Sequence, residues 1–106
     1  MTDDAPSPYE EAARRAALDH PLPGEDLSTT WPDDARMWIQ VYRELVGFKE
    51  TLIAETAKRT PDLPEVAQQE VSRTDSLVLT AELHRFRRRL AVWEKRLREL
   101  EGPAAR

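Results

Sequence analysis

A chain of 106 residues with no cysteine has single-domain length and a thin core, and it excludes disulfides, thiolate zinc sites and thiol nucleophiles. Charged residues make up 34% and hydrophobic residues 40%, which suits a helical seam and argues against complete disorder. The net charge of -4 conceals a gradient, with nine acidic and two basic side chains in residues 1–35, six and five in 36–72, and five and nine in 73–106.

The first 30 residues read as an acidic arm. Ser7-Pro8-Tyr9-Glu10 combines an N-cap serine, a proline at the first helical position and a glutamate placed for a capping box, which predicts a short helix over 8–18. Its apolar side, Tyr9, Ala12, Ala13, Ala16, Ala17 and Leu18, buries too little to stand alone, so it needs something to dock on. His20-Pro21-Leu22-Pro23-Gly24 ends the helix and opens a linker or extended arm running to Thr30.

A hairpin domain over 31–101 follows. Thr30-Trp31-Pro32-Asp33-Asp34 starts a helix predicted over 32–59, with Thr30 or Trp31 as cap and the aspartates complementing the helix dipole. Trp38, Val41, Leu45, Phe48 and Leu52 recur at helical spacing as the expected seam. Tyr42, Val46 and Ile53 lie beside it and widen the apolar face enough for a second neighbour. Gly47 costs about 1 kcal/mol against alanine in mid-helix, which suggests a close backbone or ring, or else a forgiving surface. Residues 60–75 read as a turn with room for a short helix, entered through a capping box of Asp62 with Glu65. The next helix starts at Leu63 or near Asp75 and is assigned to 76–101. Along it Leu79, Leu83, Phe86, Leu90, Trp93, Leu97 and Leu100 keep unbroken heptad spacing. Gly102-Pro103 stops the helix and leaves 102–106 frayed.

The expected fold is therefore all-α: an antiparallel two-helix hairpin with a coiled-coil-like seam plus the short N-terminal helix. The two seams differ in length, so apolar surface is left over. A folded-back N-terminal helix, a second copy or a helix of another protein could cover it, with the homodimer preferred and Tyr42, Val46, Ile53, Leu90, Trp93, Leu97 and Leu100 as the candidate assembly surface. Trp31 reads as a staple for the arm, or as an exposed anchor.

Chemistry-bearing patterns are sparse. His20 and His84 have no partner at ligand spacing, so no metal is expected, and no cofactor either. Three glycines cannot build a Walker or Rossmann loop, and no serine sits in a nucleophile elbow. Neither enzyme activity nor a membrane association is expected; no apolar run approaches the ~18 residues of a spanning helix, and the acidic start lacks the marks of a signal peptide, so a cytoplasmic protein is the default. The thirteen arginines against three lysines fit a GC-rich bacterial genome.

One dense cationic cluster remains. Arg85, Arg88, Arg89 and Arg96 share one helical side, and arginine forks bind phosphate or carboxylate bidentately. Against nucleic acid stand the pI near 5.2 and the lack of a recognisable binding motif. The basic face could equally meet the acidic arm of its own chain. The sequence thus points to a protein-protein interaction or regulatory adaptor, and alternatively to a regulator that binds a phosphate ligand or nucleic acid through the four arginines.

Overall fold

The computed structural model describes residues 7–73 and 75–102. All regular structure among them is helical: α1 (Pro8–Ala17), α2 (Pro32–Arg59), a 3-10 turn (Thr60–Asp62), α3 (Glu65–Arg73) and α4 (Asp75–Glu101). The expectation that 102–106 is frayed falls, apart from Gly102, outside the described residues.

The helix ends follow local chemistry. The Glu10 amide donates to Ser7 Oγ at 3.1 Å and Pro8 opens α1, so the cap read from the sequence is made by its serine half. Trp31 is the N-cap of α2 and supplies no side-chain cap. At the far end Gly102 takes a φ of +63° and its amide donates to the Arg98 carbonyl at 2.9 Å, which satisfies a terminal acceptor in the left-handed geometry that favours glycine.

The entry to α3 differs from expectation. Asp62 closes the 3-10 turn, in which the Leu63 amide donates to the Thr60 carbonyl at 3.0 Å, and Leu63 is extended. The first helical acceptor is then the Pro64 carbonyl, taken by the Gln68 amide at 2.9 Å. The Asp62–Glu65 capping box is therefore not the device that starts this helix. Gln68 does related work from its side chain, donating to the Leu63 carbonyl at 2.8 Å.

The two long helices run beside each other in opposite senses. Ion pairs Arg36–Glu101, Arg43–Glu94 and Arg87–Glu50 step up α2 as they step down α4, seven residues at a time. Between them lies a core of Ala35, Ile39, Tyr42, Phe86 and Trp93, with Leu22, Trp38, Leu45, Val46, Leu90, Leu97 and Leu100 packed on it. Trp38 stacks on Trp93 at 6.2 Å between centroids, and Tyr42 tilts against Phe86 at 5.9 Å, geometries that favour ring pairs beyond their burial.

This core revises the expected seam of α2. The stripe through Tyr42 and Val46, read as secondary, is the main one, and it continues back to Ile39 and Ala35. Of the stripe read as primary, Trp38 and Leu45 pack on the edge of this core, while Phe48 is 60% exposed. Gly47, next to it, has nothing within 4 Å of where a Cβ would sit, so no close backbone or ring accounts for it.

Burial is confined to one end. Between Tyr42 and Leu83 no described residue is buried, although Leu52, Ile53, Leu63, Val71 and Leu79 are all half-buried. The molecule measures 58 × 36 × 22 Å with a radius of gyration of 17.9 Å, against about 13 Å for a compact domain of this length. The long shape leaves little interior to fill.

Candidate functional site

The arginines singled out in the sequence lie against the N-terminal arm. On α4, the positions 85, 89 and 96 fall on one stripe beside the Leu83–Phe86–Leu90–Trp93 seam, with 88 next to it. Arg88 donates to the Ala17 carbonyl at 2.5 Å, where a cation also complements the C-terminal end of α1. Arg85 donates to the His20 carbonyl at 2.9 Å and lies 3.0 Å from the His20 ring nitrogen Nδ1. Arg89 pairs with Glu25 at 2.5 Å, and Arg96 donates to the Thr29 carbonyl at 2.8 Å. The arm is thus tied at 17, 20, 25 and 29.

Glu25 is the centre of this arrangement, with a side chain only 1% exposed. A turn delivers it: the Glu25 amide donates to the Leu22 carbonyl at 3.1 Å across Pro23-Gly24, and Gly24 has a φ of +91°, the arrangement of a type II turn. Its Oε1 accepts the Leu22 amide at 2.7 Å and the Tyr42 hydroxyl. Its Oε2 accepts Arg89 at 2.5 Å and the Trp93 indole N–H at 2.6 Å. Four donors on two oxygens satisfy a carboxylate that would otherwise be costly to bury.

The electrostatics follow. Burial pushes the Glu25 carboxyl upward, but its hydrogen bonds from Tyr42, Leu22, Trp93 and Arg89 outweigh that and hold it below its ordinary value. Burial, together with the Glu25 carboxylate it donates to, pushes the Tyr42 hydroxyl up to about 12. For Arg89 burial acts downward, and pairing with Glu25 raises the guanidinium above its usual value nonetheless. The Nε groups of Arg85, Arg89 and Arg96 are buried without a hydrogen-bond partner, so the clamp is not fully satisfied.

Arg85 and Arg89 are each 6% exposed, and all four guanidinium groups are engaged by the chain itself, so they do not form an open cationic face in this conformation. Tyr42 and Trp93 are fully buried within the single chain, and Val46, Leu90, Leu97 and Leu100 pack on the same core. The proposed assembly surface is therefore mostly the interior of one molecule, because the arm supplies Leu22 and Glu25 as the missing cover. Ile53 alone lies outside that cluster, toward the end without buried residues.

His84 is exposed, and its neighbour Glu82 pairs with Lys49 at 2.7 Å. No group of three or more His, Cys, Asp or Glu able to hold a metal occurs among the described residues. No helix among them is long and apolar enough to cross a membrane.

Sequence reasoning missed Glu25, which stands in a stretch read as linker. A signal was available in the opposed charges of arm and α4 and in the Pro23-Gly24 turn beside an acid. Trp31 departs from its expected role as staple: it is 71% exposed and lies with Met37 and Trp38 along an open hollow of about 360 Å³. No family model, curated protein or solved structure matches this chain.

Proposed function

We propose that the protein is a non-catalytic helical interaction module, an antiparallel hairpin sealed at one end by its own arm and offering the other end to a helix of a partner protein. The observation that carries this reading is the contrast between the two ends. One end buries Tyr42 and Trp93 completely. The other holds Leu52, Ile53, Leu63, Val71 and Leu79 half-buried and Phe48 exposed.

Two open hollows mark the unsealed end. One of about 420 Å³ runs along Ala57, Thr60, Pro61, Gln68, Val71, Ser72 and Ser76. The other, of about 240 Å³, shares Thr60 and Val71 and adds Thr56, Arg59 and Leu63. Gln68, Val71 and Ser72 fall on one face of α3, and Ser76 joins them from the first turn of α4. An amphipathic helix laid along it would meet anchors at the spacing that helix-in-groove recognition uses. A second copy of the chain is the simplest such helix donor.

The test separates a waiting surface from a poorly filled core. Replacing Ile53 or Val71 by glutamate should leave the thermal midpoint within a few degrees of the parent, because half-exposed apolar side chains contribute little in the free chain. The same variants should lose assembly, read by light scattering over a dilution series for a self-complex and by cross-linking for a complex with another protein. A drop in stability typical of a core substitution would sink the proposal.

A further inference from the structure

A second, separate surface lies at the opposite end of α2. We propose that the hollow beside Trp31 receives an arginine side chain from an extended basic segment of a partner protein.

Trp31 occupies the N-cap of α2, a position that favours Ser, Thr, Asp or Asn because their side chains bind the first free amides. The indole makes no such bond and is 71% exposed, so it serves neither the cap nor the core. A large ring kept where local preference opposes it is a sign that something outside the chain uses it. Met37, also among the exposed large hydrophobics, and Trp38 line the same hollow. Together they form a concave apolar surface of the kind that anchors a partner.

The polar part of the hollow is acidic. Asp26 and Asp34 line it and no Lys, Arg or His does. Thr29 donates to Asp34 Oδ2 at 2.5 Å, and Ser28 donates to Asp26 Oδ1 from its amide and hydroxyl. These bonds place the two carboxylates, and those from Ser28 hold Asp26 below the usual carboxylate range. Among the described residues no cation pairs with either, whereas the adjacent Asp33 is paired to Arg36 at 2.8 Å.

Such a site matches a side chain that is apolar along its stem and cationic at its tip. An arginine stem can lie on Met37 and the indole face of Trp31 while its planar head reaches the carboxylates, combining cation–π contact with charge-assisted hydrogen bonds. Arginine suits this better than lysine because its flat, weakly hydrated head stacks on a ring. The chain's own arginines near the hollow are already committed, Arg36 to Asp33 and Glu101 and Arg96 to Thr29.

The experiment titrates the acetylated, amidated peptide Gly-Leu-Arg-Leu-Gly into the full chain while the indole N–H signals of its three tryptophans are followed by NMR. A saturable shift is expected at Trp31 and at Trp38, which lines the same hollow. Citrulline in place of arginine should weaken binding about tenfold, since it keeps the shape and loses the charge. Asp34→Asn should weaken it about fivefold. Trp31→Ser, which restores a favoured cap, should hold or raise the melting temperature and abolish the saturable shift that the peptide causes at the Trp38 indole N–H. Absence of a saturable shift, equal binding of the citrulline peptide, or unchanged binding to the Trp31→Ser chain would overturn the proposal. Ile53→Glu should leave this binding intact, so failure here is distinguishable from failure of the helix-binding reading.

Discussion

Glu25 shows how one side chain can settle the state of a long segment. Its carboxylate holds Tyr42, Trp93, Arg89 and the Leu22 amide at once, and losing it leaves the Arg89 charge buried without a partner. Glu25→Ala should therefore cost about 3–5 kcal/mol, a large share of the roughly 5–15 kcal/mol of a domain, as read by urea unfolding. Glu25→Gln, which keeps the shape and an acceptor oxygen, should cost less. The pH dependence has two limbs. Because the folded carboxyl lies below its ordinary 4.5, its contribution is present above that value and is lost as pH falls through the folded value. Because the Tyr42 hydroxyl rises from 10.0 to about 12, its contribution is present below 10 and is lost as pH climbs toward 12, when a phenolate would face the carboxylate. Thermal midpoints should be level with respect to this cluster between about pH 5 and pH 9. Tyr42→Phe should flatten the alkaline limb and shrink the acid limb without removing it, because Glu25 loses its strongest hydrogen-bond donor and keeps the Leu22, Trp93 and Arg89 donors.

Among the elements, α2 is the one whose role is most divided. Its first half carries Ala35, Ile39 and Tyr42 into the core, and its second half presents Phe48 to solvent. Gly47 sits at this change, and the space around it is open. Gly47→Ala should raise stability by about 0.5–1 kcal/mol through helix propensity alone, with the circular dichroism spectrum unchanged. A loss of stability would show that the glycine has a packing role. The periodicity of α2 was readable, but its register was offset by one stripe. Two adjacent apolar stripes have nearly equal claims in the sequence, and the choice between them was made by Tyr42 packing against Phe86 and by the arm closing over it through Glu25. For α4 the reading held, since Leu83, Phe86 and Trp93 are buried and no competing stripe of equal length exists there.

For the molecule as a whole, the acidic arm and the basic helix act as one unit. A chain that begins at Trp31 loses α1, Leu22 and Glu25, and so leaves Tyr42, Trp93, Arg85 and Arg89 without their cover. It should unfold at lower temperature and show a mass that grows with concentration in light scattering, while the full chain's stability should respond weakly to salt because the Glu25–Arg89 pair is shielded from it. Length, helical periodicity, the caps at Ser7 and Gly102 and the charge gradient were set by residue type and spacing, which act over a few residues and need no fold to be read. The destination of the arginines could not be read that way. An arginine stripe next to an apolar seam serves an external phosphate, an acidic partner or the chain's own backbone with the same local chemistry, and three of the four arginines here donate to carbonyl oxygens, which every residue carries. Which carbonyls come within reach depends on a turn at Pro23-Gly24 and on the long-range fit of the arm to α4, so that assignment belongs to the folded chain.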